Sequence, residues 1–368
     1  MLISTLSVLG ARLTRMDMEQ LKALPKVALH EHLDGGLRGQ TVIDHLGDIG
    51  HEVPCMDADT LEDWFFEQAD SGSLPSYLQT FDYTVAAMRN REHLVRVAKE
   101  AVEDLAADSV AYAELRWAPE QHVTRDLTVE QAVEAVRDGI ADGVAAAQAD
   151  GHTIVARQIL TSMRHGDPTC DIAQLALDFR NDSVAGFDIA GAEDGFPCTR
   201  FAKAFEHLRR HNFPYTIHAG EALGPKSVFE AIQLCGARRI GHGVRLIEDI
   251  DLTGEEPKLG ELAQYVLDQQ IMLEVCPTSN LQTGIADTIA EHPVGSLFDL
   301  GFNISINCDN RLMSGTSMTQ EFARVSEAFG WGVEDFERIT VDALQASFLH
   351  HDEKLSLLEG VILPGYGH

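Results

Sequence analysis

The sequence predicts an α/β fold: a TIM-type (β/α)8 barrel with extra helices inserted after the first strand. Three observations carry that prediction. Eight short, β-rich apolar runs recur along the 368 residues. Longer segments of helical pattern separate them, which implies a parallel sheet covered by helices. The unusual polar residues gather at the C-terminal ends of the runs, the side on which such barrels carry their sites.

The first run is KVALHEH (26–32). The largest insertion follows, roughly residues 40 to 105, and contains the aromatic-rich TLEDWFFEQADSGSLPSYLQTFDYTVAAMRN. It suits either extra helical packing or a lid over the barrel mouth. SVAYAELRW (109–117) is the second run, and the helix TVEQAVEAVRDGIADGVAAAQADG comes next, with Thr128 as N-cap and Glu130 and Glu134 in its early turns. TIVARQILTSM (153–163) and VAGFDIAG (184–191) are the third and fourth. The helical CTRFAKAFEHLRRHN leads to PYTIHAG (214–220), and SVFEAIQLCGA leads to RIGHGV (239–244). IMLEVCP (271–277) and NISINCD (303–309) complete the set. No Pro/Gly/Ser-rich linker or charge run divides the chain, so residues 21–368 read as a single domain and residues 1–20 as an N-terminal tail. Basic residues follow the apolar patch in this tail, the wrong order for a secretory signal. Residues 1–14 read as a tail from an over-early start, with Met16 or Met18 as the candidate native start.

Composition narrows the function classes. With 28 basic against 58 acidic residues, the formal charge is -30, so nucleic acid and anionic membranes are repelled as partners. No apolar run has the length of a membrane span. The six cysteines form no C-x-x-C and read as free thiols of a cytoplasmic protein.

His30 and His32 end the first run, His218 the fifth, His242 lies in the sixth between two glycines, and Asp309 and Asn310 end the eighth. Alternate residues of a strand share a face, so His30 and His32 can both point inward. Taken singly, each admits a plain role: a hydrogen-bonded core histidine, a tight turn, a helix cap. Together, three inward imidazoles and a carboxylate suit a divalent ion, zinc first. His207 and His211 belong to a charged helix face, and His350 and His351 to an exposed C-terminal segment. His351-x-Glu353 matches the H-x-E half of the zinc cytidine-deaminase signature, but no P-C-x-x-C follows it, so that fold is disfavoured. Phosphate-binding loops, H-E-x-x-H and G-x-S-x-G are absent.

His30-x-His32 with Leu33-Asp34-Gly35, HAGE (218–221), GHG (241–243), CPTSN (276–280) and NCDN (307–310) resemble the adenosine deaminase family of the amidohydrolase superfamily. DIAGAE (188–193) and YAELRWAP (112–119) fit the same pattern, so the resemblance spans most of the chain. It implies one zinc ion per chain held by His30, His32, His218 and Asp309. It further implies that Asp309 takes a proton from the attacking water, that His242 stands beside that water, and that Glu221 donates a proton to purine N1. The fourth run carries no lysine, in agreement with one metal rather than two. On the substrate side the resemblance places His32, Asp34 on the ribose hydroxyls, the Gly191 N–H on purine N3, and Asn310 at N7. Leu74, Tyr77, Leu78 and Phe81 would wall the ribose side, although their i, i+3, i+4, i+7 spacing also suits simple packing. Asn310 stands where many family members carry a second acid, and its amide can donate to a bare N7. The implied activity is hydrolytic deamination of adenosine and 2'-deoxyadenosine to the inosine forms and ammonia, by a hydrolase of the amidine C–N bond that acts on a small purine nucleoside and whose oligomeric state is undetermined. Deamination of another 6-aminopurine (adenine or aminodeoxyfutalosine) is the first alternative, and a non-catalytic binding barrel the second.

Overall fold

The computed structural model describes residues 16–368. The expected tail over residues 1–14 lies outside the described residues. A short helix, Met18–Ala23, crosses the boundary drawn at residue 20, and the reciprocal cap of Asp17 and Gln20 fixes its start.

The eight predicted strands are all present. They are β1 Lys26–His32, β2 Val110–Trp117, β3 Val155–Met163, β4 Val184–Ala190, β5 Thr216–Ala219, β6 Arg239–His242, β7 Met272–Val275 and β8 Ile304–Ile306. They form two four-stranded parallel sheets, β1-β2-β3-β4 and β8-β7-β6-β5. Single parallel bridges join the sheets at both edges, Phe187 to Tyr215 on one side and Glu31 to Asp309 on the other. At the second seam the His32 N–H donates to the Asp309 carbonyl at 2.7 Å, and the Asp309 N–H to the His30 carbonyl at 3.1 Å. The strand circuit is thereby completed through residues of the predicted metal cluster.

Several strands are shorter than their apolar runs. Gly220, His242, Gly243 and Asp309 adopt φ of +72°, +60°, +69° and +65°, so the chain turns out of the sheet where the runs end. The insertion after β1 is helical: Gly39–Asp48, Ala58–Ala69, Leu74–Tyr77 and Phe81–Ala86 precede the crossover helix Arg91–Ala107. The next crossover, Val129–Ala149, starts as expected, with the Thr128 side chain accepting from the Gln131 N–H. All six cysteines are free, and Cys198 and Cys235 approach within 3.7 Å, sulfur to sulfur. Among the described residues no helix is long and apolar enough to cross a membrane.

Candidate active site

His30 and His32 leave β1 on the same face, as the two-residue repeat requires, and both are buried. His218 comes from β5 and Asp309 from the turn after β8. One ligand atom from each of these four residues lies within 4.8 Å of the others. Asp309 Oδ1 is 3.3 Å from both His30 Nε2 and His32 Nε2, and His32 Nε2 is 3.3 Å from His218 Nε2.

The opposite ring nitrogens explain what these atoms can do. His30 Nδ1 lies 3.0 Å from Glu274 Oε2, and His218 Nδ1 lies 2.8 Å from Asp188 Oδ2. A carboxylate beside Nδ1 holds the ring proton there and leaves a lone pair on Nε2. Accordingly, the buried His30 Nε2 has no hydrogen-bond partner among the described residues. Burial holds the imidazoles of His32 and His242 well below their usual pKa and lowers that of His218. Burial alone would raise Asp309, but the approach of His30 and the surrounding imidazoles outweigh it and hold this carboxyl well below its usual range. Neutral imidazole lone pairs around an ionised carboxylate form the donor set a divalent cation takes, so these residues fit a metal ion.

Both supporting carboxylates are themselves tied down. Arg116 on β2 donates to Asp188 at 2.8 Å and to Glu274 at 2.7 Å. Thr216 and Arg239 donate to the other oxygen of Glu274, each at 2.8 Å. Gly241 lets β6 pass, since a Cβ there would meet His30 Cε1 and His218 Cα at 3.1 Å.

The cluster forms one wall of a cavity of about 460 Å³ at the C-terminal ends of the strands. Glu221 reaches it from the turn after β5, and its Oε2 is 3.6 Å from His242 Nε2. Burial pushes the Glu221 carboxyl well above its usual range, and the charges of Asp309 and Glu193 add to that. Asn280 donates to His242 Nδ1 at 3.1 Å, and Ser279 donates to Asp309 Oδ2 at 2.6 Å.

The remaining predicted positions also face this cavity. Asp34, Gly191, Asn310, Leu74, Tyr77, Leu78 and Phe81 all line it. Burial raises Asp34 to about 7. Gly191 has φ +102°, and a Cβ there would lie 3.3 Å from Met163. Asn310 Oδ1 is buried without a hydrogen bond among the described residues. It presses on Gly35, where a Cβ would meet it at 1.9 Å, so glycine is required there. The Tyr77 hydroxyl lies 3.5 Å from Ser314 Oγ, linking the inserted helices to the short helix Arg311–Ser314 that follows β8.

Sequence reasoning missed several contributors. Arg116, Asp188, Glu193 and Glu274 sit inside strand runs or their ends, where they look like ordinary polar interruptions. Their signal is burial: a charged residue in an apolar run needs a partner. Glu31, between the two histidines, points away from the cluster and pairs with Arg311 at 2.5 Å. Asp82, Arg89, Trp117 and His165 also line the cavity.

A sequence profile for adenosine deaminase matches residues 25–364. Adenosine deaminase 1 of Streptomyces coelicolor is 51% identical over 350 residues, covering 95% of this chain and 88% of that protein. Adenosine deaminase of Mycobacterium avium is 48% identical over 357 residues, covering 95% and 98%. Among solved structures, an amidohydrolase from Burkhoderia ambifaria with bound zinc superposes with a TM-score of 0.82 at 25% identity, covering 95% of this chain and 92% of that one. With a profile match over most of its length and half of its residues shared with such relatives, this chain belongs to the adenosine deaminase family.

Proposed function

We propose that this chain catalyses the hydrolytic deamination of adenosine and 2'-deoxyadenosine to inosine and 2'-deoxyinosine, with one zinc ion per chain. One observation carries the reading. A cluster able to hold a metal, His30, His32, His218 and Asp309, presents the last three of these to a cavity of about 460 Å³ that also receives a buried carboxyl whose surroundings favour its protonated form, Glu221. The names of the Streptomyces coelicolor and Mycobacterium avium relatives support this substrate.

A divalent ion held by those four residues lowers the pKa of a water it binds towards 7. The chain's own groups do the rest. Asp309, held ionised, takes a proton from the attacking water. Ser279 donates to its other oxygen and fixes its orientation. His242, neutral and oriented by Asn280, stands 3.6 Å from the Glu221 carboxyl. Glu221 delivers its proton to purine N1, which draws electron density from the ring and makes C6 electrophilic. The C6–O bond forms, Asp309 passes the proton it took from water to the C6 amino group, and the C6–N bond breaks; the C6 hydroxyl gives its proton to the Glu221 carboxylate as the C6 carbonyl forms and ammonia leaves. Asp34 accepts from ribose hydroxyls, with His32 beside it. The Gly191 N–H reaches purine N3, and the Asn310 amide faces N7. Leu74, Tyr77, Leu78 and Phe81 cover the sugar side and exclude water. The same reading takes residues 21–368 as one domain of a cytoplasmic enzyme that acts on a small purine nucleoside.

An ultraviolet assay across adenosine, 2'-deoxyadenosine, adenine, AMP and aminodeoxyfutalosine tests this. Turnover of the two nucleosides is expected. Turnover of one of the others with adenosine untouched overturns the substrate.

A further inference from the structure

Glu221 sits on a tight turn between β5 and a short helix. Its carbonyl side is held by the turn after β6. The Gly243 N–H donates to Ala219, the Arg245 N–H to Gly220 at 2.9 Å, and Arg245 Nε to the Glu221 carbonyl at 2.7 Å. The N–H side converges on one carboxylate. Glu193 Oε1 accepts from the Gly220 N–H at 2.8 Å and from the Ser227 hydroxyl. Glu193 Oε2 accepts from the N–H groups of Glu221, Ala222 and Leu223 at 3.2, 2.7 and 2.9 Å. Four consecutive amides and a hydroxyl thus surround a carboxylate that is 3% exposed. Among the described residues no lysine or arginine pairs with it. Such an array of N–H groups is a cradle for an anion. Here the chain supplies the anion itself.

Glu193 lies two residues after Gly191, which lines the same cavity at the end of the neighbouring strand β4. Holding the 220–223 turn against the β4 turn therefore sets the distance between two walls of the site. We propose that Glu193 is the positioning residue of the proton donor: its carboxylate fixes the backbone of Glu221 relative to the β4 wall. Its negative charge also helps keep Glu221 protonated, since it adds to the burial that raises that carboxyl. The inference rests on the deaminase reading given above. It concerns a residue that touches no reacting atom.

Glu193→Gln tests it. The amide presents N–H donors where the turn also presents donors, so at least one backbone N–H loses its acceptor. With the metal content unchanged, kcat for adenosine is expected to fall about 10- to 100-fold, as small misplacements of a reacting group do. KM should change less than kcat, because Glu193 itself touches no substrate. Loss of the Glu193 charge lowers the pKa of Glu221, so the alkaline limb of the kcat profile moves to lower pH. A merely structural residue would lower the melting temperature and leave kcat and this limb in place for each folded, metal-loaded chain. That result overturns the proposal. Should Glu193→Gln fail to fold, Glu193→Asp decides. It keeps the charge but withdraws it by one methylene, so kcat falls while the alkaline limb stays; an unchanged kcat overturns the proposal. Wild-type protein assayed alongside separates the two levels. If it leaves adenosine untouched, the deaminase reading fails; if it is active and the variants match it, only the role of Glu193 fails.

Discussion

Glu221 and Asp309 are buried carboxyls of one cavity, yet their surroundings push them in opposite directions. Glu221 faces the neutral His242 and two nearby negative charges, so it keeps its proton. Asp309 sits among imidazoles and accepts from Ser279, so it loses its own. Groups driven apart in this way divide into acid and base. Glu221→Gln is expected to lower kcat by about 10²- to 10⁴-fold while the metal stays bound, checked by steady-state kinetics and metal analysis of the same sample. In the proposed mechanism Glu221 acts in its protonated form, so kcat is expected to decline as pH rises through its raised pKa. Asp188→Asn tests the metal ligands from behind. It removes the carboxylate at His218 Nδ1, and metal affinity should weaken about 10- to 100-fold in a chelator competition. These partners explain what the sequence could and could not disclose. The histidines and Asp309 stood out because each interrupts an apolar run at its end. Glu274, Asp188 and Glu31 stood in such runs and Glu193 two residues past one, but their meaning lies in partners far along the chain. Glu274 is 244 residues from His30, and Glu31 is 280 from Arg311.

At the scale of elements, alternation and helical pattern located all eight strands, but not where they stop. The runs HAG, GHGV and NCD read as strand, whereas positive φ at Gly220, His242, Gly243 and Asp309 bends each of them out of the sheet. Those turns carry the chemistry, and local pattern does not report a left-handed residue other than glycine. The inserted helices show a second limit. A helical stripe at Leu74, Tyr77, Leu78 and Phe81 served both packing and pocket readings, and the fold places all four on the cavity. Phe81→Ala should raise KM for adenosine about 5- to 30-fold, matching about 1–2 kcal/mol of lost apolar contact, with a smaller change in kcat. Helix starts were legible because caps are local. Thr128→Ala removes one and should cost about 1 kcal/mol in urea unfolding, with kcat and KM unchanged.

For the whole molecule, stability and metal binding share a seam. The β1–β8 edge is joined by backbone bonds between His30, His32 and Asp309, so a metal held there fastens one of the two seams between the sheets. Away from this seam, burial holds His45 and His122 down to about 4 and His292 to about 3. The unfolded chain protonates these three near pH 6.5, the folded chain only near pH 4 to 3. On unfolding these three rings therefore take up protons around pH 5, and the stability they contribute is lost as the pH falls there. Titration of the individual ring resonances in the folded protein checks this; rings that protonate near their ordinary value of about 6.5 contradict the burial assigned to them. The central claim, that the four converging residues hold the ion on which adenosine deamination depends, has its most direct test in metal removal and return. Protein stripped by a chelator should release no inosine from adenosine, and activity should return in proportion to added zinc, reaching its plateau at about one ion per chain. Stripped protein that keeps full activity, or a stripped chain that no divalent ion restores, would contradict the account.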